Sequence, residues 1–149
     1  MGFNMSSEAR AYFRKLSKTK HGKLKLQFDF YYLCLIAGFL DERFSECKGE
    51  KFVDEFPSDF LIQRDQIIGL LIATEISRNK IDLKNRQRIE GIMLKLVKPD
   101  SPTQLSSEGE SLMNQYAEYG FKRILEEIPT PPINLDSFLV RYYEKILCV

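Results

Sequence analysis

The sequence predicts an all-α protein, a compact bundle of about six helices with one short N-terminal strand or extended segment. Three observations carry this. Apolar residues recur at three- and four-residue spacing over most of the chain, capping residues precede those runs with proline or glycine behind them, and only one stretch alternates apolar with polar residues. The 149 residues, 44% hydrophobic and 29% charged, fit a single all-helical domain spanning 1–149. A domain of this length buries roughly two-thirds of its unfolded surface, so no metal, disulfide or other cofactor is expected to be needed for stability.

The first element starts near Ser6 or Ser7, either of which can cap it. Ala9, Tyr12, Phe13 and Leu16 then form one apolar stripe, with Arg10, Arg14, Lys15 and Lys18 beside it and Gly22 as a stop. In KLKLQFDF, Leu24, Leu26, Phe28 and Phe30 alternate with polar residues, the period of a strand or arm. Asp29 can cap a helix through FYYLCLIAGFLDERF, which is apolar on nearly every side and is therefore expected at the centre. Ser45 to Pro57 reads as a connecting loop.

Ser58 is expected to cap a long helix to about Asn79, and another runs from near Asp82 to Pro99. Ser107 and Glu110 form a capping box for the next, which Pro129 ends. After the extended PTPP connector, Asn134 or Asp136 opens a final helix carrying Leu135, Phe138, Leu139, Tyr142, Tyr143 and Ile146. The helix near 30–44 is expected to be packed by those near 59–79 and 108–127. No internal repeat or low-complexity tract interrupts the chain.

The formal charge of +1 conceals a dipole. Residues 1–25 hold Arg10, Arg14, Lys15, Lys18, Lys20, Lys23 and Lys25 against Glu8 alone, a segment net of +6, while residues 41–59 carry a net of −4. Cys34, Cys47 and Cys148 form no CxxC pair and are odd in number, which favours a reducing cytoplasm. Neither a signal peptide nor a membrane span is expected, because the longest uncharged run, Phe30 to Leu40, is too short to cross a bilayer.

Few residues point to a reaction. His21 is the only histidine, so one chain cannot build a histidine-rich metal site, and a Cys/His dyad has no spacing to enforce it. Glu42 and Glu46 lie one turn apart, and Glu46-Cys47-Lys48 matches the E-x-K end of a metal-dependent nuclease pattern without its strand context. A solvated charged face is the better account of Glu42 and Glu46, and the triplet reads as a chance match. No glycine-rich loop follows a strand, which argues against a nucleotide-phosphate cradle. Gly38, Gly69, Gly91 and Gly120 sit within helical stretches, where glycine costs about 1 kcal/mol against alanine and permits close helix approach; all four read as packing positions.

The basic segment is the strongest positive signal. Seven cations in 25 residues can neutralise phosphates and release counterions, with an acidic protein or a plain solvated face as the other readings. Tyr12, Phe13 and His21 could stack on bases, although Tyr12 and Phe13 fall on the apolar stripe. The pairs Tyr31-Tyr32 and Tyr142-Tyr143 each direct one ring inward and leave the other on a flank, as at protein contacts, so all four are candidate partner-binding residues.

Across LQFDFYYLCLIAGFLDERF, FPSDFLIQRDQIIGLLIATEI and SPTQLSSEGESLMNQYAEYGF the chain resembles the small all-helical accessory proteins encoded in bacterial anti-phage and DNA-modification operons. The resemblance implies a non-catalytic cytoplasmic subunit working beside a larger ATPase or nuclease on DNA. Two alternatives stand beside it. One is a dimeric DNA-binding regulator in which Lys23 to Phe28 pairs with its copy; the other is a small metal-dependent nuclease or hydrolase using Glu42, Glu46 and Lys48.

Overall fold

The computed structural model describes residues 2–17 and 27–148. Among these residues are six α-helices and a two-stranded ribbon: β1 (Phe3–Met5), α1 (Ser7–Ser17), α2 (Gln27–Asp41), β2 (Glu50–Val53), α3 (Leu61–Arg78), α4 (Arg86–Leu96), α5 (Ser107–Glu127) and α6 (Leu135–Tyr142). A one-turn 3-10 helix, Ser58–Phe60, precedes α3, and a π-helical turn, Tyr143–Leu147, continues α6. No helix among the described residues is long and apolar enough to cross a membrane.

Helix α1 follows its pattern: the Ser6 hydroxyl accepts the Ala9 amide, and Ala9, Tyr12, Phe13 and Leu16 are all buried. The alternation at KLKLQFDF resolves differently. Residues 23–26 lie outside the described residues, and Gln27 to Phe30 form the first turn of α2 rather than a strand. Because α2 is enclosed on most sides, Phe28 and Phe30 both find partners without sharing a face. Phe28 packs on Phe3 and Phe60, and Phe30 stacks on Phe13 with centroids 4.8 Å apart. Asp29 lies within that turn, where a carboxylate suits the positive end of the helix dipole.

Among the described residues the strands are elsewhere. Phe3–Met5 pairs antiparallel with Glu50–Val53, inside the segment read as a loop, with Phe3 opposite Val53, Asn4 opposite Lys51 and Met5 opposite Glu50. Neither strand is long enough to show a period of two. What holds β1 is tertiary: Phe3 sits among Phe28, Tyr31 and Phe56 at centroid distances of 5.4, 5.4 and 4.9 Å. Buried Asn114 completes the attachment, its Oδ1 accepting the Asn4 amide and the Tyr31 hydroxyl while its Nδ2 donates to the Gly2 carbonyl.

The central packing is α2 against α5. Gly38 of α2 lies against the Tyr116 backbone and Gly120 of α5 against the Cys34 backbone; a Cβ at either would overlap a carbonyl oxygen of the opposite helix. At Gly69 and Gly91 a Cβ would meet nothing within 4 Å, so two of the four glycines expected at tight contacts are on open surface. Helix α2 ends on Glu42 in the left-handed region, φ 53°, with Arg43 and Glu42 amides returning to the Gly38 and Phe39 carbonyls. Lys80, φ 54°, closes α3 in the same way through the Ile81 and Lys80 amides.

Cap positions shift locally. Ser58 opens the 3-10 turn without a side-chain capping bond, Asn85 rather than Asp82 caps α4, and Ser106 rather than Ser107 caps α5. Asn134 caps α6. Helix α4 buries only Leu96 and leans on α3 and α5 as an outer brace. Its end is tied down by the Val97–Leu105 bridge, by the Ser106 hydroxyl on the Lys95 carbonyl and by the Ser106 amide on the Leu96 carbonyl.

Candidate functional site

The basic segment divides into a described and an undescribed part. Lys18, Lys20, His21, Lys23 and Lys25 lie outside the described residues. Arg14 and Lys15 are exposed on the outer side of α1. Arg10 is half-buried and straps α1 to the ribbon, its Nη2 donating to the Glu50 carbonyl at 2.8 Å. This commits part of its guanidinium to the fold. Just after β2, Asp54 pairs with Lys51 of that strand at 2.5 Å rather than with α1.

The four candidate partner-binding tyrosines separate by burial. Tyr31 is 1% exposed with its hydroxyl on Asn114, and Tyr142 is 3% exposed with its hydroxyl donating to the Leu33 carbonyl at 2.6 Å. Burial drives the Tyr142 phenol, like Tyr31, well above its ordinary value. Both rings are core and cannot meet a partner. Tyr32 is half-buried against Phe60, and Tyr143 is 59% exposed.

Tyr12 and Phe13, the other aromatics among the cations, are also core. Tyr12 donates to the Ile128 carbonyl at 2.6 Å, and burial pushes its pKa up to about 12. Cys34 is buried in the α2–α5 seam, where desolvation raises the thiol well above its normal range.

Glu42, Glu46 and Lys48 do not converge. The Glu42 carboxylate accepts the Ser77 hydroxyl at 2.7 Å at the end of α3, while Glu46 and Lys48 are exposed in the coil before β2. No group of three or more His, Cys, Asp or Glu side chains among the described residues is placed to hold a metal ion. The dimer ribbon expected over Lys23 to Phe28 loses Gln27 and Phe28 to α2, and the Phe28 ring is fully buried.

The structure also assembles a polar cluster around Glu75 that no local pattern announces. Glu75 of α3, 8% exposed, receives the Tyr116 hydroxyl from α5 at 2.5 Å. The Arg78 guanidinium grips the same carboxylate at both oxygens, through Nε at 2.9 Å and Nη2 at 3.0 Å. Burial works to raise the Glu75 pKa, but the bonds from Arg78 and Tyr116 outweigh it and hold the carboxyl below its ordinary value. Burial and the adjacent Glu75 raise the Tyr116 phenol, and the Glu75 bond keeps Arg78 firmly protonated. Phe44 covers the guanidinium, its ring centroid 4.9 Å from Cζ.

Arg78 stands between two surface clefts created by the leaning α4. One, of about 380 Å³, runs between α3 and α4 and is lined by Asn79, Arg88 and Gly91 among others; the second, of about 490 Å³, runs toward α5 past Phe44, Leu112 and Gln115. Glu75, Arg78, Lys95 and Leu96 line both. In the sequence, Glu75 and Arg78 are an ordinary i, i+3 helix pair, and the aromatic partners Phe44 and Tyr116 are distant in the chain, so only tertiary packing makes the cluster visible.

Compared with protein-family models, curated proteins and solved structures, the chain matches none.

Proposed function

We propose that the protein is a non-catalytic accessory subunit of a larger bacterial assembly acting on DNA, of the anti-phage type, which meets nucleic-acid phosphate through α1 and the basic stretch behind it. The observation that carries this reading is the concentration of charge, a net of +6 in residues 1–25, a segment that contains α1, whose whole apolar stripe is spent on the core. With Ala9, Tyr12, Phe13 and Leu16 buried, Arg14 and Lys15 are held outward and the chain continues into Lys18, Lys20, Lys23 and Lys25. A concentration of cations gains affinity for a polyanion by releasing condensed counterions. Tyr143, with neighbouring Val140 at 56% exposure and Leu147 at 44%, is the aromatic and apolar surface best suited to the protein partner.

Fluorescence anisotropy with a short labelled DNA duplex, titrated over a range of salt concentrations, tests the reading. Replacing Arg14, Lys15, Lys18, Lys20, Lys23 and Lys25 with Gln is expected to weaken binding and to reduce the log–log salt slope by about 0.9 for each phosphate that is no longer neutralised. Unchanged affinity and slope in this variant, with its circular dichroism intact, would remove the nucleic-acid role.

A further inference from the structure

We infer that the α3–α4 cleft at Arg78 is a binding site for the phosphate group of a small phosphate monoester, whose apolar body extends past Phe44 toward α5. The first support is the posture of Arg78. Nε and Nη2 are bound to the two Glu75 oxygens and the ring of Phe44 covers the plane, so the guanidinium cannot swing. The carboxylate takes one edge of the fork. The Nη1 side lies outside that pairing, and a planar guanidinium offers a second edge suited to phosphate oxygens. Its orientation is set before any ligand arrives, which reduces the entropy lost on binding.

The second support is the charge around it. Lys95 lines both clefts and Arg88 lines the α3–α4 cleft, giving with Arg78 three cations against Glu75 and against Glu108 of the adjoining cleft, which stands 3.7 Å from Lys95. Glu75 is matched by Arg78, the Lys95–Glu108 pair is long and largely exposed, and Arg88 has no ion-pair partner among the described residues, so a net positive charge faces the α3–α4 cleft. The third is shape. Gly91, with no atom within 4 Å of a Cβ position, leaves the α4 wall of the cleft open, and the adjoining cleft supplies Phe44, Leu96 and Leu112. Volumes of about 380 and 490 Å³ fall within the range of roughly 300–1,000 Å³ common for small-ligand sites. This site is remote in sequence from the basic N-terminal segment, and neither reading depends on the other.

The test is an NMR titration of the full chain with phenyl phosphate at constant ionic strength, following the Arg78 Nε–H signal and the backbone amides of Asn79, Gly91 and Lys95. Phenol serves as the uncharged control and inorganic phosphate as competitor. Expected are saturable shifts at these positions, at least tenfold weaker binding of phenol, and displacement by inorganic phosphate. The paired substitution Arg88→Gln with Lys95→Gln alters only exposed side chains and should raise the dissociation constant at least tenfold without changing the melting temperature. Gly91→Leu keeps every charge and should block the cleft. No saturable shift at millimolar phenyl phosphate would overturn the assignment, as would equal binding of phenol or equal binding by both variants and the wild type.

Discussion

Replacing Gly120 with alanine should destabilise the protein, whereas the same replacement at Gly69 should stabilise it, although both glycines are interior to helices. At an open helical site the change gains about 1 kcal/mol through restricted unfolded-chain freedom and better helix propensity. Gly69 is such a site, with nothing within 4 Å of the new methyl. At Gly120 the methyl would overlap the Cys34 carbonyl oxygen and stand 2.9 Å from the Gly38 amide nitrogen. These are backbone atoms of α2, so no side chain can rotate away and the two central helices must separate. Overpacking of this kind costs about 1–3 kcal/mol and occasionally more, which exceeds the propensity gain.

Urea unfolding followed by far-UV circular dichroism gives both free energies if the slope with denaturant is unchanged. For a chain of this size 1 kcal/mol moves the melting temperature by about 2–4 °C, so Gly69→Ala should rise by that amount and Gly120→Ala should fall by at least as much. Gly38→Ala, which strikes the Tyr116 carbonyl from the other side, should fall similarly. The Gly38→Ala, Gly120→Ala double variant should cost less than the sum, because one separation of α2 from α5 relieves both overlaps. A Gly120→Ala protein as stable as the wild type would refute the close backbone approach on which the core is built.

Three further perturbations read the polar interior. Glu75 has a depressed pKa in the folded protein, so its contribution is present above its ordinary value of 4.5 and is lost as pH falls through the folded value. Tyr116→Phe removes one of its donors and should cost about 1.5–3 kcal/mol at pH 7, with a shallower loss of stability in acid; equal acid sensitivity in both proteins would contradict this. Burial raises Glu118 instead, so its stabilising effect lies at low pH and fades as pH rises, and Glu118→Gln should gain more stability at pH 7 than at pH 4. Asn114→Ala removes three bonds, two to the β1 segment and one to Tyr31 of α2, and should cost about 2–4 kcal/mol, with faster hydrogen exchange at the Asn4 amide than at α5 amides; uniform exchange rates would show that β1 is held without Asn114.

Much of the architecture was legible because it depends on local period and capping. The stripe Ala9, Tyr12, Phe13, Leu16 places α1, and the all-round apolar run after Asp29 identifies the central helix. At Phe28 and Phe30 the alternation misleads because a helix enclosed on several sides accepts apolar residues at any spacing, period two included, while Leu24 and Leu26 lie outside the described residues. The aromatic pairs show the same limit. Helical periodicity separates Tyr142 from Tyr143, yet Tyr31 and Tyr32 differ because of where Asn114 and Phe60 happen to stand.

The sequence alone determined the helical class, the number of helices, the lopsided distribution of charge and the buried stripe of α1, since each follows from residues within a turn or two of one another. Tertiary structure alone decided that Phe3–Met5 finds Glu50–Val53, that Gly38 and Gly120 lie at a helix contact while Gly69 and Gly91 do not, and that Glu75, Arg78, Phe44 and Tyr116 meet beside α4. Each of these joins residues far apart in the chain. Such contacts are chosen by the free energy of enclosing the whole core, and no window of neighbouring residues contains that information.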